Sequence, residues 1–243
     1  VRAFLTQLCG GRGIKQFCAV IGTRSMLEHT LARVERRLPR ARILVVVSRD
    51  HQQEVAAQLA HWPVENVIVQ PRGRDTAAGI LLPLAYISQR DPAATVAIFP
   101  SDHFIIAEDR FMAAVEEARR ESRSFPGELI LLGVRPDGME EGYGWIAPAE
   151  AESPRLTRAV HGFCEKPAPP QAAALFRRGA LWNSFIGVAQ AATLWEMVRQ
   201  TAPDLYQDFM SIRRVLARPY SGEVIENVYR NTRAVNFSSD VCA

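Results

Sequence analysis

Lysine is almost absent from this chain of 243 residues, although cationic residues are plentiful. Of the 29 lysines and arginines, only Lys15 and Lys166 are lysines. Arginine therefore fills the generic cationic positions. A compact ammonium group retained at two places marks both lysines as candidates for a specific contact. Composition alone leaves open the alternative that the two lysines are there by chance.

Long apolar runs and paired cysteines are also lacking. No stretch approaches the ~18 uninterrupted apolar residues of a membrane-spanning helix, and no signal peptide is expected. The four cysteines form no CxxC pair, which disfavours structural zinc and a disulfide framework and favours free thiols. They are Cys9, Cys18, Cys164 and Cys242. We therefore expect a cytoplasmic protein that does not contact a membrane.

Excess charge of one sign is missing as well. The formal net charge is +3, and no basic run is longer than two residues. A nucleic-acid-binding surface is therefore not expected. With 48% hydrophobic and 23% charged residues, the composition is that of an ordinary globular protein.

Short β-branched runs alternate with helical patterns in the first 135 residues. A capping box at Ser25 and Glu28 predicts the start of one helix. The predicted strands are residues 42–48, 66–70, 95–99 and 128–134, and the predicted helices are 25–38, 52–60, 76–88 and 111–123. Strands that are apolar on both faces and alternate with helices indicate a parallel sheet covered on both sides. The predicted fold is α/β: a Rossmann-like, mixed but mostly parallel sheet flanked by helices.

The pattern changes after residue 135, where the predicted strands become shorter and more polar. We expect a hairpin, a helix, a strand, two further helices and a last short strand. These are residues 142–148 and 156–165, 169–178, 181–189, 191–200 and 204–216, and 234–237. No linker separates the two patterns. The sequence therefore predicts one domain over residues 1–243, in which residues 136–190 face the substrate.

Polar segments follow several of the predicted strands, where open α/β sheets bind their ligands. They are residues 70–77, 100–103, 165–167 and 183–184. Lys166 lies in one of them, and Lys15 lies in a glycine-rich segment, residues 10–17. That segment is neither a Walker A loop nor a GxGxxG motif, so a flexible turn is the favoured interpretation. The shared position at one sheet edge predicts a site.

Seven short motifs in a fixed order carry a family resemblance. They are KQF at 15–17, GTRSML at 22–27, PRGRDTA at 71–77, FPSDH at 99–103, GYGWI at 142–146, FCEKP at 163–167 and LWNS at 181–184. Together they resemble the sugar-nucleotide nucleotidyltransferases, or NDP-sugar pyrophosphorylases, and among these the bacterial mannose-1-phosphate guanylyltransferases. The resemblance covers nearly the whole chain. It implies the nucleotide-diphospho-sugar transferase fold and an enzyme that joins a sugar 1-phosphate to an NTP, releasing pyrophosphate with the help of Mg²⁺.

The resemblance also implies roles for individual residues. The implied catalytic residues are Arg2, Lys15 and Asp102. The implied nucleotide-binding residues are Arg72, Gly73, Arg74, Asp75, Thr76 and Ser101. The implied sugar-phosphate-binding residues are Tyr143, Gly144, Glu165, Lys166 and Asn183. The implied Mg²⁺ ligands are Asp102 and Asp240, and the implied partners are a GTP-like nucleoside triphosphate and a mannose 1-phosphate-like sugar phosphate. The two lone lysines thus fall on two phosphate-side positions.

Three departures from the family pattern leave alternatives open. The N-terminal strand and GGxGTR-type loop are expected to be missing, since Val1-Arg2 matches only the end of that motif. Residues 235–240 can be aligned with the family's late metal-binding segment in two ways. Alignment on the serines places Asp240 at the metal-ligand position, and alignment on the aromatic residue places Asn236 there. A WNSG motif has become Asn183-Ser-Phe185, which would narrow the sugar pocket.

A catalytically weakened homologue that binds nucleotide or sugar nucleotide is the alternative function. The base, the sugar and the oligomeric state, with a homodimer as one option, stay open.

Overall fold

The structure is a computed structural model that describes residues 14–150 and 157–242. The chain divides into two compact units. The first contains the described residues up to Arg72 together with Phe99–Ala113, and the second contains Gly73–Ile98 and the described residues from Ala114 onward. Each unit has its own elements and its own candidate residues.

The first unit is built on two parallel strands and two helices. They are α1 (Met26–Glu35), β1 (Val45–Ser48), α2 (Gln52–Gln58) and β2 (Val67–Gln70). The predicted capping box is confirmed, because the Ser25 side chain accepts from Glu28 N–H and the Glu28 carboxylate accepts from Ser25 N–H. Leu27, Leu31 and Val34 of α1 pack in one apolar cluster with strand residues of β1. Burial of this face holds the helix on the strands.

The second unit contains most of the sheet and most of the helices. Its elements are α3 (Asp75–Arg90), β3 (Thr95–Ile98), β4 (Ile130–Val134), β5 (Gly144–Pro148), β6 (Val160–Glu165), α5 (Pro169–Arg177), β7 (Leu181–Gln190), α6 (Ala191–Thr201), α7 (Pro203–Val215) and α8 (Ser221–Asn231). Helix α4 (Glu108–Ser124), which lies between β3 and β4 in the sequence, contributes residues to both units. A π-helical turn, Phe237–Val241, follows α8.

The long strand β7 organises the five-stranded sheet. It pairs antiparallel with β3, β4 and β5, and β6 pairs antiparallel with β5. The predicted α/β class is confirmed. The expected parallel neighbours are limited, among the described strands, to β1 and β2. Strands β3 and β4 run in the same direction, but each of them pairs with β7, which runs antiparallel to both.

Three smaller predictions need correction. Helix α8 was not predicted, although Ile225, Val228 and Tyr229 have helical spacing and are buried. The strand expected at 234–237 is wrong, because the chain there enters the π-helical turn rather than pairing with another strand. Cys18 is disulfide-bonded, so free thiols are confirmed only for Cys164 and Cys242.

None of the helices in the described ranges combines the length and the apolar character required to cross a membrane.

Candidate functional site

Two predicted catalytic residues meet in the first unit. The Lys15 ammonium lies 3.0 Å from Asp102 Oδ2, although the two residues are 87 positions apart. Lys15 begins a short 3₁₀ turn, Lys15–Phe17, and Asp102 lies in the polar loop that follows β3 in the sequence. Both side chains are partly exposed, at 46% and 37%. The pair is therefore held together and still accessible to a ligand.

The second oxygen of the Asp102 carboxylate is less engaged than the first. Asp102 Oδ1 is 3.9 Å from His103 Nε2, which is beyond hydrogen-bond distance. Burial lowers the pKa of His103, and the neighbouring Asp102 carboxylate only partly opposes this effect. A neutral His103 leaves the carboxylate able to accept a cation. A carboxylate oxygen is a ligand type that Mg²⁺ prefers.

Arg33 supports the loop that carries Asp102, a role that the sequence analysis missed. Its side chain is only 2% exposed. Its Nη2 donates to the His103 carbonyl at 3.4 Å and its Nε to Glu108 Oε1 at 3.2 Å. The guanidinium also lies 5.5 Å from the Phe111 ring centre. One feature of the sequence could have indicated that Arg33 is buried. It lies three residues after the buried Thr30, and so on the same buried side of α1.

Three other predicted residues of this region make no side-chain contact that explains a role. Arg72 and Ser101 form no side-chain hydrogen bond with the described residues of the first unit, and Gly73 is exposed at the start of the second unit. Arg2 lies outside the described residues. The roles implied for these four positions stay predictions.

In the second unit, residues that the motifs assign to the nucleotide begin helix α3 in an uncommon conformation. Asp75 has φ 62°, in the left-handed region. The segment is held by the end of the described chain: Ala77 N–H donates to the Val235 carbonyl at 3.1 Å, and Phe237 N–H donates to Thr76 Oγ1 at 2.8 Å. Two polar groups at this helix start, the Ala77 amide and the Thr76 hydroxyl, are therefore already used.

Arg74 contacts the end of helix α8. Its Nε donates to the Tyr229 carbonyl at 2.7 Å and its Nη2 to the Arg230 carbonyl at 2.9 Å. The Tyr229 hydroxyl in turn donates to the Ala78 carbonyl at 3.2 Å. A cation at the last carbonyls of a helix satisfies groups that have no partner within the helix. Arg74 thus ties this segment to α8, and its role in nucleotide binding stays a prediction.

Three predicted sugar-side residues converge at the end of the β5–β6 hairpin. Gly144 pairs with Glu165 across the strands. A Cβ at Gly144 would lie 2.7 Å from Glu165 Oε2 and 3.4 Å from the Asn183 Cβ. A side chain at this position would therefore require the Glu165 carboxylate to move. The structure thus brings the three residues together, and their role toward a sugar phosphate stays a prediction.

Lys166 and Tyr143 border this group. Lys166 has φ 45°, and its N–H donates to the Tyr143 carbonyl at 3.2 Å. Its ammonium is 3.7 Å from Glu165 Oε1, and the side chain is 68% exposed. Tyr143 is 51% exposed and meets the Trp182 ring edge-on, with ring centres 5.1 Å apart. Trp145, in contrast, is fully buried. Tyr143 is thus a surface aromatic, and Trp145 is the core one.

A chain of hydrogen bonds joins a residue predicted to bind the sugar phosphate to one predicted to bind the nucleotide. Asn183 Nδ2 donates to Ser238 Oγ at 3.3 Å. Ser238 N–H donates to Asn236 Oδ1 at 3.0 Å, and Asn236 Nδ2 donates to Asp75 Oδ1 at 3.3 Å. Ser238 had no assigned role from the sequence. No pattern along the chain could have revealed its contact with a residue 55 positions away.

The Asp240 carboxylate is engaged in its own turn. Oδ2 accepts from Asn236 N–H at 2.9 Å and Oδ1 from the Ser239 hydroxyl at 2.8 Å. The backbone hydrogen bond from Asn236 is the main reason that the pKa of Asp240 is lowered. Among the described residues, no three His, Cys, Asp or Glu side chains form a metal-binding group. The choice between Asp240 and Asn236 as a metal ligand stays open.

Phe185 replaces a glycine of the expected motif, within strand β7. It has φ 59°, a conformation that favours glycine. The register between β4 and β7 shifts here, from Leu131↔Gly187 to Gly133↔Asn183, so β7 bulges around Phe185. Phe185 N–H donates to Asn183 Oδ1 at 3.0 Å. The bulge therefore orients the Asn183 side chain, as β-bulges do near functional sites.

The fold is of the α/β class, with one parallel pair of strands and a five-stranded sheet built around β7. A family model described as nucleotidyl transferase matches residues 11–210, and the chain belongs to this family. A mannose-1-phosphate guanylyltransferase of Escherichia coli K12 is 32% identical over 202 residues, covering 79% of this chain. The alginate biosynthesis protein AlgA of Pseudomonas syringae is 30% identical over 196 residues, again 79% of this chain.

A solved structure from Thermus thermophilus, described as a mannose-1-phosphate geranyltransferase, is similar over 95% of this chain and 64% of its own chain. Its TM-score is 0.83 and its identity 26%. The chain spans 41% of the length of the E. coli relative and 40% of the AlgA relative. The similarity thus covers one part of those longer proteins.

Proposed function

We propose that this chain is a nucleotidyltransferase that joins a sugar 1-phosphate to a nucleoside triphosphate and releases pyrophosphate. The substrates proposed are mannose 1-phosphate and GTP. The Lys15–Asp102 ion pair, at 3.0 Å, is the observation that carries the proposal. It unites a phosphate-binding cation with a metal-binding carboxylate in a chain of the nucleotidyl transferase family. The names of the relatives support the choice of substrates. Cytoplasmic location and a homodimer stay predictions.

Lys15 and Asp102 have different roles toward the triphosphate. The Lys15 ammonium neutralises charge that develops on the leaving pyrophosphate, which is where a fixed cation lowers the barrier most. Asp102 would hold Mg²⁺ through its carboxylate, which remains partly exposed beside Lys15. A bound Mg²⁺ would supply further charge neutralisation on phosphate oxygens. In the free protein the ion pair keeps both side chains in place.

The second unit supplies most of the groups for the sugar phosphate and the nucleoside. Lys166 binds the phosphate of the sugar, and its high exposure supports this role. Glu165 and Asn183 hydrogen-bond to sugar hydroxyls, and Gly144 leaves them room. The residues proposed to contact the nucleotide are Arg72, Gly73, Arg74, Asp75, Thr76 and Ser101. We expect purine nucleotides to be preferred over pyrimidine nucleotides, with GTP first.

The test is the rate of pyrophosphate release by the full-length protein from GTP and mannose 1-phosphate. Lys15→Ala should lower kcat/KM by about 100-fold, because a transition-state contact to developing charge is lost. Asp102→Asn should raise the Mg²⁺ concentration needed for half-maximal rate. Arg37→Ala, which removes an exposed cation of the same unit, is the control and should leave the rate unchanged. Wild-type rates in Lys15→Ala would refute the proposed site. Faster turnover of UTP or dTTP than of GTP would refute the preferred base.

A second candidate is a homologue that binds nucleotide without turning it over. The hydrogen bonds that Asp240 accepts within its own turn favour it, because they occupy a carboxylate that the family resemblance assigns to the metal. Calorimetry separates the two functions. GTP binding by the wild-type protein without pyrophosphate release from any NTP and sugar 1-phosphate pair would support the second candidate.

A further inference from the structure

The side chain of Asn236 occupies a fixed position between two segments of the second unit. Its Oδ1 accepts from Ser238 N–H at 3.0 Å and from Ser239 N–H at 3.1 Å. Two amide donors require an acceptor, so the oxygen of the carboxamide faces this turn. The Nδ2 group therefore faces the other way, toward Asp75 Oδ1, at 3.3 Å.

Asp75 has its backbone in the left-handed region, at φ 62°. An aspartate adopts this conformation where its short side chain can hydrogen-bond locally, and here Asp75 Oδ1 accepts from Thr76 N–H at 2.6 Å. Such residues persist where surrounding contacts hold them. Asn236 supplies a hydrogen bond to the side chain, while Val235 and Phe237 bond to Ala77 and Thr76 on the same short segment.

Asn236 is itself held from both sides. Its N–H donates to Asp240 Oδ2 at 2.9 Å, which closes the turn around its side chain. The carboxamide is thus oriented before any ligand arrives. Asp75 Oδ1 thus accepts from two donors, Thr76 N–H of its own segment and the Asn236 amide across the unit, and together they set the direction in which the other oxygen of Asp75 points.

We propose that Asn236 is a positioning residue, which fixes the Asp75 carboxylate for nucleotide binding through its side-chain amide. This inference rests on the proposed function and deepens it. In this role Asn236 is not a metal ligand and does not touch the nucleotide. Its influence reaches the nucleotide through Asp75, at the first residue of helix α3.

A double-mutant cycle in the full-length protein tests the proposal. Asn236→Asp keeps the acceptor for Ser238 and Ser239 N–H but sets a second carboxylate against Asp75. It should raise KM for GTP about tenfold, with kcat changed less than about threefold, because positioning rather than chemistry is affected. With Asp75→Asn as background, the donor and the acceptor are merely exchanged. There, Asn236→Asp should change KM by less than about threefold.

Asn231→Asp is the matched control. Asn231 Nδ2 donates to Asn227 Oδ1 on helix α8, so this change also replaces an amide that donates to a neighbouring side chain. Its KM for GTP should stay at the wild-type value. Thermal melting of every variant identifies losses that come from folding alone.

The outcomes are separable. Equal KM changes in both backgrounds would mean that Asn236 does not act through Asp75, and unchanged KM or a fall in melting temperature alone would also overturn the inference. If the wild-type protein binds GTP but releases no pyrophosphate, the proposed catalytic function is wrong. The double-mutant cycle is then measured with the Kd for GTP in place of KM, and the expected changes, about tenfold and less than about threefold, stay the same. A wild-type protein that binds no nucleotide would overturn both.

Discussion

At the scale of single residues, left-handed backbone marks the predicted site. Among the described residues, three other than glycine have positive φ: Asp75 at 62°, Lys166 at 45° and Phe185 at 59°. Asp75 and Lys166 were predicted binding residues, and Phe185 replaces a glycine of the expected motif. Uncommon backbone conformations concentrate at functional sites, where side chains must be directed in particular ways. This independent observation supports the residues that the motifs indicated.

The energetic cost of a positive φ at a residue that carries a Cβ can be measured directly at Phe185. Phe185→Gly and Phe185→Ala both remove the ring and its edge contact with Phe237. Only alanine keeps the Cβ that disfavours positive φ. We therefore expect the glycine variant to be more stable than the alanine variant by about 1 kcal/mol in urea unfolding.

The control uses Val160, which lies in β6 without positive φ and is 47% exposed. There, alanine should be the more stable of the two by about 0.5–1 kcal/mol, the usual order in a strand. The same order at Phe185 would show that its backbone relaxes without cost.

At the scale of elements, helix α1 stabilises the loop that carries Asp102. Its buried Arg33 reaches the His103 carbonyl and Glu108, and Glu108 also pairs with Arg36. A buried cation without its partners would be costly, so the contacts of Arg33 are needed once the residue is buried. The helix thus connects the apolar core of the first unit to the predicted catalytic loop.

Arg33→Leu should therefore destabilise the protein. The leucine loses hydrogen bonds to His103 and Glu108 and leaves the His103 carbonyl without this donor. Because Glu108 keeps Arg36, we expect a loss of about 2 kcal/mol in the free energy of unfolding, measured in urea. Arg37→Leu, at an exposed position just past the end of the same helix, should change it by less than about 0.5 kcal/mol. Equal effects of the two substitutions would contradict this account.

At the scale of the whole molecule, the scarcity of lysine becomes an experimental tool. Lys15 and Lys166 are the only lysines in residues 1–243, and their side chains are 46% and 68% exposed. A reagent specific for amines therefore reaches few groups in this chain, and two of them are predicted to bind phosphate. Because this chain has only two lysines, labelling of their amines reports directly on the predicted site.

Reductive methylation with ¹³C-formaldehyde should give one NMR signal for each lysine. Lys15→Arg and Lys166→Arg variants assign the two signals in the full-length protein. We expect GTP with Mg²⁺ to shift the Lys15 signal and mannose 1-phosphate to shift the Lys166 signal, since a bound phosphate changes the field at the ammonium group. Signals that stay unchanged at saturating ligand would rule out these two contacts.

The sequence by itself determined the local elements and the candidate residues. The capping box at Ser25 and Glu28, the α/β class and the strands β1 to β5 follow from hydrophobic period and cap chemistry, which act over a few residues. The motifs also identified Lys15, Asp102, Gly144, Glu165 and Asn183, because each lies in a short segment with its own signature. Family membership, too, was visible in the order of these segments.

Only the tertiary structure decided how distant segments meet. The pairing of β3 and β4 with the returning strand β7 depends on packing over the whole second unit. The same is true of Arg33 beneath the Asp102 loop and of Asn236 beside Asp75, which is 161 residues away in the chain. A local pattern records burial and propensity but not the partner across the fold. The contacts that orient the predicted site therefore appeared only once the chain was folded.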